Sequence, residues 1–525
     1  MKILGIVLLI SLVIFSCKKE NINQLDTKNK ISDDNIINEQ MTQLIRKLDN
    51  PYSVSNMKNA LDSIQRSNKR FTTDELEIVT THLYLKFKPK NNNELEILKD
   101  DSSLILYSYP LDYDITLGTY YHDPSIPDSL PTYQYCSVTV DKKIPSGIEY
   151  ELLDELFIPD ENKDGINLNK TKSNDDLVSR LVEESFRLTG NLDSNTLDRK
   201  VKASNWRPAG KIRFWDDVTN NWRGVEGVIV KARNWFTTHQ GIVDANGNYS
   251  CDGTFKGDAN YSLDWERYDF ALREAWLDGA NINGPKKKGN WDNDFTSGKN
   301  FFHAKVFLWA YRYYYLDIDG LKRPPKNAIL KTQMHIRCYD ENGVSNFKKE
   351  RRFMGLGSAI KIYSKETSLD GSVTYANSER LLNVVSHELA HASHWELRKN
   401  KWNNNKTEDK LIESWAMGVA WKLTRKVYFN HNHYAFMTFD DMKNDEFGKN
   451  QYTPIIIDLL DNLNQGGCCS KTLPIDEISG YTIKNIEDVL KDCETLSDLK
   501  DQLKNKYQII NQSKLDYFFN QYINL

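Results

Sequence analysis

His387, Glu388 and His391 occupy the stretch His387-Glu388-Leu389-Ala390-His391. At about 3.6 residues per turn, positions i and i+4 share a helix face, so the two imidazoles can reach one metal ion. Glu388 then sits beside that ion, where its carboxylate can take a proton from a water. Metal-assisted hydrolysis, with Zn2+ as the expected ion, is the chemistry these groups can do. The bland alternative is a surface helix that happens to carry them. With ten histidines in 525 residues, composition alone produces the pattern about once in a hundred such chains. The flanks argue for one long half-buried helix: Ser378 can cap it, and Leu381, Leu382, Val384, Val385, Leu389 and Ala390 follow with helical spacing.

Two histidines leave a catalytic zinc short of one protein ligand, and the position of the third separates the possible arrangements. A third histidine six residues after the second is absent, because that position is Leu397. Downstream, Glu413 shares a helix face with Ala416 and Ala420, small residues that let two helices approach closely. Glu413 is therefore the expected third ligand. Glu408 and Asp409 lie near enough to compete, but an acidic residue at a helix start is also expected as a complement to the helix dipole. From His387 to Glu413 the chain resembles the gluzincin type of zincin metallopeptidase. The resemblance implies His387, His391 and Glu413 as metal ligands, Glu388 as general base and peptide-bond hydrolysis as the activity. An aspartate ligand at Asp409 would instead make the site aspzincin-like. His431, His433, Tyr434 and Tyr452 follow as donors for the oxyanion, with none singled out by spacing, and His394 is a group behind the metal or an exposed residue.

The elements that must position these residues form a multidomain α+β chain. Residues 41–165 are expected to be a mixed α/β N-terminal domain, with helical patterns at 41–48, 54–64 and 150–157 and strands at 80–87, 103–109 and 133–140. Residues 166–208, which begin inside a polar stretch at 160–174, are a linker or helical connection. At 209–290, Val228 and Val230 alternate and an Asn246-Gly247 turn precedes Tyr249, a pattern that suits a β-hairpin. There the chain resembles carboxypeptidase-regulatory-like β-sandwich domains, which implies an accessory module. Residues 291–525 are the zincin-like catalytic domain. It opens on an aromatic helix from about residue 300, read as core, and continues through strands at 329–338 and 358–363, the second a plain core strand or one able to take up an extended peptide.

Length beyond one hydrophobic core agrees with several domains. The net charge is −4 with signs interspersed, which gives no basic footprint for nucleic acid. Residues 1–17 read as a signal peptide: Lys2, a short apolar run, then Ile14-Phe15-Ser16-Cys17, which resembles a relaxed lipobox. Cys17 is then the lipidation site, residues 18–40 a flexible tether, and the expected location the bacterial cell envelope, anchored to a membrane by lipid. The six remaining cysteines form an even set in a disulfide-permissive compartment, with the adjacent Cys468 and Cys469 expected to take two different partners. The substrate is then an extracytoplasmic peptide or protein. The competing reading is a non-catalytic envelope lipoprotein that binds protein or glycan on a degenerate zincin fold.

Overall fold

The computed structural model describes residues 40–67, 77–159, 172–192, 205–274, 279–316, 318–326, 333–347, 360–367, 371–398, 407–444, 451–509 and 512–525. Cys17, the signal and most of the tether lie outside them, as does most of the 160–174 connection. The chain is a mixed α/β protein of several sheets and many helices. No helix among the described residues is long and apolar enough to cross a membrane.

In the N-terminal part, β2 (His82–Phe87) is the central strand of an antiparallel sheet and buries Tyr84, Leu85 and Phe87, the neighbours Tyr84 and Leu85 both being covered rather than alternating. It lies between β4 (Gln134–Thr139) and β5 (Tyr150–Leu156). The expected helix at 150–157 is thus a strand: pairing with β2 satisfies its backbone and overrides the helical spacing of its leucines. The expected helix at 41–48 also fails, because β1 (Leu44–Lys47) pairs antiparallel with β3 (Tyr113–Ile115). Residues 103–109 form no strand, only a bridge from Tyr107 to Tyr135. Helix α1 (Val54–Ser67) buries Met57, Ala60 and Ile64 against Leu177 and Leu181 of α3 (Lys172–Leu188), and α2 (Asn92–Asp100) is capped by Asn91.

Two sheets follow and share one core. In the first, β6 (Ala209–Asp216) pairs with β7 (Asn221–Gly224), β10 (Asn248–Ser250) and β14 (Asn293–Phe295). In the second, β8 (Ile229–Asn234) and β11 (Ala259–Asp264) lie between β9 (Thr237–Ile242) and β13 (Asn281–Lys287). Ile212 and Phe214 of the first meet Val230, Tyr261 and Leu263 of the second in a single buried cluster. The hairpin is β8–β9, closed at Trp235, whose φ is +52°. The Asn246-Gly247 turn does different work from that expected. Gly247, at φ +88°, lets the chain leave β9 and join the other sheet as β10.

The sheet that carries the candidate site runs β12 (Phe270–Arg273), β15 (Met334–Asn342), β17 (Ile360–Thr367) and β16 (Asn346–Phe347), with β18 (Val373–Tyr375) also on β17. The first three are parallel and present Leu272, Ile336, Cys338, Ile360 and Ile362 to the helices. Helix α4 (Gly298–Tyr315) is apolar on nearly all sides, with Ala304, Val306, Phe307 and Trp309 fully buried, as a central core helix must be. Against it lies α5 (Ser378–Leu397), and against α5 lies α6 (Asp409–Val427). The short helices α7 (Phe439–Lys443), α8 (Ile455–Leu460) and α9 (Gln465–Cys468) follow, then α10 (Ile483–Leu490), α11 (Leu496–Lys506) and α12 (Leu515–Ile523). Their buried Ile486, Leu499 and Phe519 extend the same core.

Cys468 and Cys469 are bonded to each other rather than to separate partners. Cys136, Cys251, Cys338 and Cys493 are free and buried, each in a different part of the fold, so the expected wider disulfide framework is not formed among the described residues.

Candidate metal centre

His387 and His391 fall one turn apart on α5 and turn their rings edge to face, with centroids 4.6 Å apart and planes at 90°. The helix start is fixed by Asn377, whose side chain accepts from the Arg380 N–H; the expected cap, Ser378, is the first helical residue. Glu413 comes from the second turn of α6. Ala416 and Ala420 on that helix are almost fully buried, which permits a close helix crossing. The crossing brings Glu413 Oε2 within 3.2 Å of His387 Nε2 and 3.3 Å of His391 Nε2, and the two Nε2 atoms lie 3.0 Å apart. Among the described residues, this is the one set of three or more His, Cys, Asp or Glu side chains whose ligand atoms all lie within 4.8 Å of one another.

Those three separations test whether a metal fits. Ligands held about 2.0–2.1 Å from a tetrahedral ion stand about 3.3 Å from each other. Two imidazole nitrogens and one carboxylate oxygen facing a common point at 3.0–3.3 Å therefore match the donor set and the spacing of such an ion. The same donors also take other first-row divalent ions. Burial alone would raise the Glu413 carboxyl, but the facing imidazoles, His391 foremost, hold it far below the carboxylate range. Burial likewise opposes a charge on His391, and Glu413 outweighs it and raises that ring. His391 Nδ1 meets no acceptor among the described residues.

Glu388 is 6% exposed and feels the charges of His387, His391 and Glu413. Burial lifts its carboxyl above the ordinary value, while His387, His391 and a hydrogen bond from the Phe347 N–H on β16 work in the other direction. That backbone donor has no signature in the sequence. Asp409 is elsewhere: it lies in the first turn of α6 and accepts from Gln451 Nε2 at 2.9 Å. Glu408 is the residue just before that helix, makes no side-chain cap bond to it, and accepts the Leu496 N–H at 3.1 Å. Neither joins the two histidines.

The four downstream donors separate in space. Tyr452 lies against His387, with rings 6.3 Å apart and 28° between planes, and its hydroxyl donates to Glu413. His431 is occupied on both nitrogens, by Glu379 at 2.7 Å and the Asn383 amide at 3.3 Å, and so ties its loop to α5. His433 packs on Tyr434, whose φ is +67° and which bonds to Arg380. His394 is fully buried rather than exposed. Strand β17 has partners on both edges, so it is a core strand and not open to an added peptide strand. No family model, curated protein or solved structure matches the chain.

Proposed function

We propose that this chain is a zinc-dependent peptidase of the gluzincin type, acting on peptides or proteins outside the cytoplasm. The observation that carries the reading is the approach of Glu413, from a separate helix, to both imidazoles of the HExxH pair. His387, His391 and Glu413 would hold the ion, which supplies Lewis-acid polarisation of a scissile carbonyl. Glu388 takes a proton from the attacking water and delivers it to the leaving amine. Its raised carboxyl brings it closer to neutral pH, where such a shuttle works best. The Phe347 N–H fixes the orientation of that carboxylate. Tyr452 steadies Glu413 by donating its hydroxyl proton to that carboxylate.

In this reading the two-sheet unit before α4 is a carboxypeptidase-regulatory-like accessory domain, and the chain is tethered to the cell envelope through Cys17. Cys17→Ser should move the protein from the membrane fraction to the soluble one, and an unlipidated mature N-terminus would remove the anchor from the account. For the activity, a zinc chelator should abolish cleavage of a peptide library and stoichiometric zinc should restore it. Cleavage that persists in metal-free protein would rule the reading out.

A further inference from the structure

Arg233, on β8, is only 2% exposed, yet no carboxylate answers its charge. Its Nη1 donates to the Leu111 carbonyl at 3.0 Å and to the Trp235 carbonyl at 2.5 Å, while Nε and Nη2, both buried, have no hydrogen-bond partner. No Asp or Glu among the described residues forms an ion pair with it. The carboxylates that follow Leu111 in the chain are engaged elsewhere. Asp112 accepts the Tyr84 hydroxyl at 3.0 Å and faces Lys47 at 3.7 Å, and Asp114 faces Arg46 at 3.1 Å and Lys286 at 3.2 Å.

A buried carboxyl or ammonium can relieve such burial by changing its protonation, but arginine keeps its charge at every accessible pH. Two things can then offset it. The first is the pair of rings of Tyr107 and Tyr109, whose centroids lie 5.3 Å and 5.6 Å from the guanidinium carbon. Their faces attract a cation, but they bring no countercharge. The second is an anion, and there is a place for one. Arg233 forms part of the wall of a small cleft with about 20 Å³ of free volume, together with Asn234, Trp235, Asn260, Asp258 and Lys286. That volume holds one body of about the size of a water or slightly larger, and it is too small for a tetrahedral oxyanion. Lys286 brings a second positive charge to the exposed rim. Asp258 opposes an anion from the same rim, where it is exposed and solvent screens it.

We infer that this cleft is a halide site of the chloride class, held by the Nε–H and Nη2–H of Arg233 with Lys286 at its mouth. Charge-assisted bonds from a planar guanidinium are the strong kind, and two adjacent N–H groups can share one spherical ion. The cleft lies at a seam. Leu48, Leu111 and Tyr113, from the chain around β1 and β3, complete its wall opposite the β8–β9 hairpin. A bound ion would therefore join the N-terminal part to the two-sheet unit, and the site is independent of the peptidase reading.

The test exchanges anions around the full chain at constant ionic strength and needs no peptidase activity. Replacing gluconate by chloride should raise the melting temperature by about 3 °C or more at saturation, and replacing gluconate by acetate should do much less. Arg233→Met should lose the chloride shift. Should that variant fail to fold, crystals of the wild-type protein soaked in bromide still decide the matter: one anomalous peak is expected in contact with Nε and Nη2 of Arg233. A water at that position without anomalous signal would overturn the site in favour of a hydrated guanidinium held by Tyr107 and Tyr109. A chloride shift kept in Arg233→Met would overturn it in favour of an ion bound elsewhere, and an equal shift with acetate in favour of a carboxylate ligand.

Discussion

Glu413 faces His387, His391 and Tyr452, whereas its two acidic neighbours bond elsewhere. Asp409 holds Gln451 and Glu408 receives the Leu496 N–H. Glu413→Ala should therefore lower zinc affinity by about tenfold to a hundredfold or more, while Asp409→Ala leaves it nearly unchanged, as competition with a chromogenic chelator would report. Equal loss in the two variants would move the third ligand away from Glu413. The triad was legible in the sequence because each part obeys a local rule: i and i+4 for the histidines, and a helix face with small residues for the glutamate. Tyr452 was readable only as one of four donors, because what selects it is the approach of a loop to α6, which no spacing encodes. The Phe347 donor to Glu388 was invisible for the same reason.

At the scale of elements, the α5–α6 pair sets the site, and α8 holds α6 from behind. A Cβ added at Gly418 would stand 2.2 Å from Ile456 Cγ2 and 2.6 Å from its Cβ. Gly418→Val should thus destabilise the protein by about 1–3 kcal/mol, measured by denaturant unfolding, because neither helix can yield without moving the core. An unchanged midpoint would show that α8 is not packed there. The long helices α4, α5 and α6 were readable from composition and period. The short elements were not. Residues 150–157 carry leucines at helical spacing, yet Leu152 and Leu153 end up exposed on β5, because the ladder with β2 decides the backbone. Residues 41–48 fail similarly, as the pairing of β1 with β3 is a long-range fact.

Across the whole molecule, the N-terminal part is joined to the sheet beneath the site by a buried charge cluster. Glu96 of α2 meets Arg273 of β12 at 3.0 Å and His335 of β15 at 2.9 Å, all nearly inaccessible to solvent. Burial opposes ionisation of Glu96, but His335 and then Arg273 outweigh it and hold the carboxyl down at about 2. A carboxyl depressed in the folded state contributes stability above its ordinary value of about 4.3, and that contribution is lost as the pH falls from there towards 2. Urea melts should show stability falling over this window in the wild type, with a shallower fall in Glu96→Gln; identical slopes would remove the link. Strand β12 was unreadable as part of this sheet, since parallel pairing between Phe270–Arg273 and β15 leaves no mark in the sequence. In the proposed reading, turnover rests on Glu388, which need not bind the metal. The most direct measurement compares wild type and Glu388→Gln for zinc content and peptide turnover in the same preparations. The account predicts about one zinc per chain in both and turnover reduced at least about a hundredfold in the variant. Undiminished hydrolysis by zinc-loaded Glu388→Gln would contradict it.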